Sequence, residues 1–475
     1  MSVLPEAAYP VAHARVGDYD PELIGRALAQ LSSALGWSGT AGVPFAGLLP
    51  AGANVVVKPN WVMHANKGPW GEACLVTQGT LIRAIVQQLL AAGAGWVTIG
   101  DAPIQACDFA ALLRLEGMDV WAGELSVREP RFGGVRDFRR TRSRLEDGIL
   151  VQDEEQVPLS EFVRFDLGKE SLLEPVTWGA NPFRVTQYDP SKMAETHHVG
   201  RHQYLVARAV MEADVIVNVP KLKTHRKAGV TNALKNLVGI NGNKEYLPHH
   251  RVGGAGAGGD CYPGLSRIKR LHEAVLDLQN GVRSHLGRRM LNVPQRALSL
   301  MGRLLVDPLG VEGAWSGNDT VWRMCLDLNR VLLYGRPDGT LAEVPQRRVI
   351  SIVDAVIAGQ GDGPLAPEPF PLGLLLAGEN PAAIDWLGSR LLGYVPERIP
   401  LVREAFSAFR WPIAPLGSRA VRPVAADGLP LQEGPGPASY PIGWLDAVDR
   451  GQRRTPPIGR SFSRARPGAA LAPEA

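Results

Sequence analysis

The sequence predicts an α/β fold, a predominantly parallel sheet flanked by helices, in two lobes with a central cleft. Three observations predict it. Short β-branched runs alternate with segments of helical spacing, as in βαβ units. Several of those runs end directly in a lysine or an aspartate. At 475 residues the chain exceeds the size at which a single hydrophobic core stops growing.

Val55 to Val57 is a buried strand that opens at its carboxyl end into Lys58-Pro59-Asn60. Thr77 to Ala92 has helical spacing, with Thr77 as candidate N-cap, and Trp96 to Gly100 is the next strand, ending in Asp101. Strand, helix, strand is the unit of a parallel sheet. Tyr204 to Glu212 reads as helix, Asp214 to Val219 as a buried strand and Gly229 to Val238 as helix again. Val349 to Val353 is a strand ending in Asp354, Leu372 to Leu376 another, and Pro381 to Leu392 a helix. Ligands of open parallel sheets sit outside the carboxyl ends of the strands, where Lys58, Asp101, Lys221 and Asp354 fall.

The expected division is an N-terminal helical extension over 1–53, a first βαβ lobe over 54–123 and an irregular insertion over 124–201 with short strands such as Phe183 to Tyr188. A second α/β lobe follows over 202–420, then a Pro, Gly and Arg-rich tail over 421–475, expected to be poorly packed and to end in a flexible basic stretch. No repeat of fixed period occurs.

A hydrophobic fraction of 45% and a charged fraction of 21% are those of a globular chain, and a net charge of +4 over this length calls for no nucleic-acid partner. Cys74, Cys107, Cys261 and Cys325 form no C-x-x-C pair, which argues for reduced thiols and against an iron–sulfur or all-cysteine zinc cage. The first residues lack the basic and apolar regions of a signal peptide, and no uncharged apolar run is long enough to span a bilayer. The expected location is the cytoplasm.

The chemistry concentrates between Pro220 and Asn236. Lys221, Lys223, Thr224 and His225 follow a buried strand, and such cationic density at a strand end is costly unless something negative offsets it. Thr231, Asn232, Lys235 and Asn236 are then expected on a helix whose N-terminus would add oriented N–H donors for an anion. Lys58 and Asn60 add a cation and an amide, and His249 or His250 one imidazole, since adjacent residues of an extended chain point opposite ways. Each of these residues alone is as readily a solvated lysine, a turn cap or a core histidine; it is the clustering that points to a ligand.

Asp101, Asp354 and, across the Gly361-Asp362-Gly363-Pro364 turn, Asp362 are the carboxylates placed to orient a lysine or act as base, or simply to cap a helix. Asp385 is expected only to complement a helix dipole. Gly254, Gly256 and Gly259 form G-x-G-x-x-G without a preceding strand, so they read as a mobile lid rather than a dinucleotide fingerprint. Arg323, Asp327 and Arg330 share one side of a helix, as an internal salt bridge would. Between Val282 and Val306 five arginines and no acidic residue are interleaved with apolar ones around Pro294, which suits an inter-lobe helix pair or, less directly, a membrane surface.

These residues carry a resemblance to the DUF362 family. It rests on VVVKPN at Val55 to Asn60, GDAP at Gly100 to Pro103, NVPKLKTH at Asn218 to His225 and GVTNALKNLVGI at Gly229 to Ile240. IVDAVIAGQGDGP at Ile352 to Pro364 and ENPAAIDWLGSRLLGY at Glu379 to Tyr394 complete it. The resemblance implies no single activity. Some members look as if they carry ferredoxin-like cysteine motifs, which implies redox chemistry in part of the family, and this chain lacks those cysteines.

The expected function is an enzyme acting on an anionic, phosphorylated or carboxylated small molecule. Lys221, Lys223, His225 and Asp101 would be catalytic. Lys58, Asn60, Thr224, Thr231, Asn232, Lys235, Asn236, His249 and His250 would bind substrate, and Asp354 with Asp362 would hold a divalent metal. A non-catalytic ligand-binding or membrane-associated assembly protein and a partner-dependent oxidoreductase are the alternatives.

Overall fold

In the computed structural model, which describes residues 8–449 apart from 147–148, 153–156, 180, 187, 283, 432–434 and 437, the apolar runs assemble into one ten-stranded sheet. Its strands are β1 (Tyr9–Arg15), β2 (Asn54–Pro59), β3 (Trp96–Asp101), β4 (Phe132–Asp137), β5 (Val215–Val219), β6 (Lys221–His225), β7 (Gly229–Thr231), β8 (Arg348–Asp362), β9 (Ala366–Gly378) and β10 (Val421–Ala425). The order is β10-β1-β9-β8-β5-β2-β3-β4. Strands β8, β5, β2, β3 and β4 run parallel, and β9 lies antiparallel between β8 and β1. After Pro220, β6 continues beside the far half of β8, with β7 antiparallel on its other side.

The central parallel strands β5 and β2 are mostly apolar and buried along almost their whole length, so both faces are covered. Val55, Val57, Val215 and Val217 face helices α1 (Pro21–Ala34) and α2 (Gly79–Ala91). Val56 and Ile216 face the other way, toward a second core shared with α5 (Val321–Tyr334) and α6 (Pro381–Leu391). Between these along the chain lie α3 (Arg267–Gly281) and α4 (His285–Leu305). The two cores are the two faces of one sheet. That corrects the two-lobe expectation: β2, from the first expected lobe, hydrogen-bonds directly to β5, from the second.

Other differences have local causes. Arg201–Ala207 is a strand rather than a helix, because its apolar alternation finds a partner in Phe162–Asp166 from the insertion; only Arg208–Met211 turns helical. The expected strand at Phe183 to Tyr188 shrinks to Phe183–Arg184, paired with His250–Arg251. Thr77 does not cap α2, which starts at Gly79; its hydroxyl donates to the Val219 carbonyl and accepts from the Asn60 N–H, tying β5 to β2. The C-terminal region is packed over its described part: β10 pairs with β1, and Trp444 is buried and donates its indole N–H to the Arg226 carbonyl at 2.7 Å. Residues 450–475 lie outside the described residues.

Candidate functional site

The segment expected to be a loop, Lys221 to His225, is strand β6, and all five residues are buried. The helix expected from Gly229 is broken into β7, a single turn over Ala233–Asn236 and a 3-10 turn over Leu237–Ile240. Gly229 has φ +80, and a Cβ there would come within 2.8 Å of the Trp444 ring. The left-handed backbone and the indole together hold a strand start where the apolar spacing suggests helix.

Two lysines in this region are fully matched. The Lys58 ammonium lies 2.7 Å from Asp101 Oδ1 and donates to the Pro59 carbonyl at 2.7 Å and to Asn236 Oδ1 at 3.0 Å. Asp101 Oδ2 accepts from the Trp61 N–H, and Asn60 Nδ2 donates to Asn236 Oδ1, so Lys58, Asn60, Asp101 and Asn236 do come together. Burial pushes the Lys58 ammonium down and the Asp101 carboxyl up, and their contact opposes both shifts. The pair fits because residue 239 is glycine: a Cβ there would lie 2.1 Å from Asp101 Oδ1 and 2.5 Å from Lys58 Nζ.

Lys221 is closed in the same manner. Its ammonium meets Asp354 Oδ2 at 3.0 Å and Tyr19 Oη at 2.7 Å, and the Tyr19 hydroxyl donates to Asp354 Oδ1 at 2.7 Å. Asp354 Oδ2 also accepts the Gln78 N–H at the start of α2. Burial and the neighbouring Asp354 charge hold the Tyr19 phenol far above its usual range. In both networks the lysine is neutralised by a carboxylate of the chain itself, so Lys221 and Asp101 fit a structural role better than the expected catalytic one.

Lys223, Lys235 and Lys244 are not matched. Lys223 is fully buried and donates only to the Leu75 carbonyl; burial, with Lys221 adding repulsion, pushes its ammonium down to about 7. Lys244 donates to the Val238 carbonyl at 3.3 Å, and burial pushes it to about 7 as well. Half-buried Lys235 has no hydrogen-bond or ion-pair partner among the described residues. Its charge disfavours the protonated forms of Lys58, Lys223, Lys227, Lys244, His225 and His249.

Two neutral imidazoles lie within electrostatic range of the same lysines. Burial, then Lys235, drives His225 well below the usual histidine range, and its Nδ1 accepts the N–H groups of Lys227 and Ala228 at 3.0 and 3.1 Å. The neutral ring must therefore carry its proton on Nε2, as a donor. His249 is depressed by burial and by Lys227; its Nδ1 donates to the Leu247 carbonyl at 2.7 Å, which leaves Nε2 as an acceptor. One ring offers a proton and the other a lone pair. His250 is buried on the Arg184 strand with an unpartnered Nδ1.

Several expected site residues lie elsewhere or are already engaged. Thr224 Oγ1 donates to the Gly361 carbonyl, and Asn232 Nδ2 to the Ile384 carbonyl in the core. The hydroxyl of Thr231, now on β7, is buried without a partner. The helix N-terminus expected to receive an anion is occupied by Asp385, which accepts the Leu234 N–H, so Asp385 caps a neighbouring turn rather than its own helix. Asp354 is saturated while Asp362 is exposed eight residues further along β8, about 26 Å away in extended chain. They cannot share a metal ion, and no group of three or more His, Cys, Asp or Glu among the described residues is arranged to hold one. The expected mobile lid is pinned: Asp260 accepts from the Asp319 N–H and the Thr320 hydroxyl, and Glu273 accepts the Gly253 N–H. Asp327 and Arg330 form the expected internal ion pair at 2.8 Å, whereas Arg323 pairs with Asp319.

Sequence reasoning passes over Tyr19, Lys227 and Lys244. Tyr19 lies about two hundred residues from Lys221 with no local motif, so no sequence signal could find it. Lys244, in the NGNKEY run after the helical turn, was within reach of the same charge-density argument that finds Lys223.

No curated protein matches this chain. Among solved structures, a structural-genomics target protein from Thermotoga maritima aligns over 78% of this chain and 57% of its own length, at 10% identity and a TM-score of 0.29, a likeness too slight to carry an argument. The family model described as a domain of unknown function, DUF362, matches residues 169–390, which hold β5 to β9, the lysine cluster around Lys235 and most of α6. Over that segment the chain is similar to the DUF362 family.

Proposed function

We propose that the lysine cluster around Lys235 binds a small anionic metabolite, bearing phosphate or carboxylate groups, and that the protein is an enzyme acting on it. The observation that carries this reading is the unmatched Lys235 ammonium among Lys223, Lys227 and Lys244. Lysines gathered where they outnumber the neighbouring carboxylates, Glu312 beside Lys227 and Asp101 beside Lys244, repel one another, and a bound anion relieves that repulsion. Lys227, Lys235 and His249 each keep part of their surface exposed to solvent.

The groups present suit proton transfer near neutral pH. Lys223 at about 7 is a base that an arriving anion converts to an acid, His225 Nε2 donates, and His249 Nε2 accepts. Lys223, His225 and Lys235 therefore take the chemical roles, while Lys58, Asp101, Lys221 and Asp354 hold the frame.

Mass spectrometry of the purified protein tests the reading. The wild type should carry a phosphate- or carboxylate-bearing compound that Lys235→Met lacks while folding normally. Equal anion content in both proteins would overturn it.

A further inference from the structure

The paired helices α3 and α4 are built with their polarity reversed. Their seam is polar: Gln279 Nε2 donates to Asn292 Oδ1 at 2.6 Å, Gln295 meets the His272 ring at 3.3 Å, and Lys269 pairs with Asp307 at 2.6 Å. The outward side of α4 is apolar. Leu286, Met290, Val293, Leu300 and Leu304 are 69, 70, 74, 59 and 74% exposed, and their spacing puts them on one stripe. Pro294 lies within the helix without ending it.

Charge follows the same geometry. Arg289, Arg296 and Arg303 recur every seven residues, which sets them in a row along one flank of the stripe. No acidic residue occurs from Leu278 to Val306. Arg296 and Arg303 make no ion pair among the described residues.

We propose that this face of α4 lies on an anionic membrane surface, with the Leu and Met side chains in the headgroup boundary and the arginine row against lipid phosphates. A helix apolar on one side and purely cationic on its flank has the form of an interfacial helix, and long arginine stems keep their guanidinium groups at the phosphates while the stripe inserts. No helix among the described residues is long and apolar enough to cross a membrane, so the contact is with the surface. A second copy of the chain fits the face poorly: stripe on stripe would bring arginine rows together with no carboxylate on α4 to receive them.

Vesicle co-sedimentation of the full chain tests this. Binding is expected to phosphatidylcholine vesicles containing phosphatidylserine, not to phosphatidylcholine alone, and to fall as salt rises. Val293→Asp should abolish it with an unchanged melting temperature, and each of Arg296→Gln and Arg303→Gln should weaken it roughly five-fold. Failure to bind, equal binding to neutral vesicles, or a dimer in sedimentation that Val293→Asp disperses would overturn the proposal. Anion binding at the Lys235 cluster is read separately and does not bear on this result.

Discussion

Lys221 and Lys235 lie fourteen residues apart on one stretch of chain, yet Lys221 is closed between Tyr19 and Asp354 while Lys235 meets no acceptor among the described residues. The contrast teaches how to divide a lysine-rich site. A buried ammonium whose bonds are all made to the protein stiffens the fold and has nothing left for a ligand. One that finds no partner keeps its donors available, which is the basis for proposing a ligand at Lys235.

The matched side breaks most visibly. Asp354→Ala strands the Lys221 charge and the Tyr19 hydroxyl and should cost about 3–5 kcal/mol in denaturant unfolding; a loss below about 1 kcal/mol would mean that Lys221 is neutral and the network weak. Gly239→Ala drives a methyl into the Lys58–Asp101 pair and should cost about 1–3 kcal/mol by the same measurement.

The unmatched side sharpens through pH. Lys223 at about 7 lies below the ordinary lysine value of 10.5, so between those values the unfolded chain holds a proton that the folded one has released. Ligand-free stability should therefore climb with pH from about 7 to about 10.5, by roughly 1.4 kcal/mol per pH unit for each such lysine. Lys223→Met should remove its share of that slope; an unaltered slope would assign the titration to Lys244 or another group. The smallest effect is expected at Asp385. Burial without a nearby cation holds its carboxyl far above the usual range, so Asp385→Asn, which preserves the oxygen that caps Leu234, should change stability by less than about 1 kcal/mol.

The parallel core was legible because β-branched runs such as Val55–Val57 and Val215–Val219 bury both faces and need no long-range information to be recognised. The motif lysines were legible as a cluster. Their division was not, since what distinguishes Lys221 from Lys235 is Tyr19 and Asp354, contributed by distant parts of the chain. Strand β6 reads as a loop because polar residues rarely line a buried strand, and the Ala233 turn reads as an anion site because its cap, Asp385, comes from another helix. The two-lobe expectation has a related origin: chain length suggests two cores, and a sheet buried on both faces supplies two.

The most direct test of the central claim is a thermal-shift comparison of wild type and Lys235→Met with inorganic pyrophosphate. At a concentration one hundred times its dissociation constant, pyrophosphate should stabilise the wild type by about 2.7 kcal/mol and leave Lys235→Met unmoved. An equal shift in both proteins, or none in either with pyrophosphate and with a di- or tricarboxylate, would contradict the account.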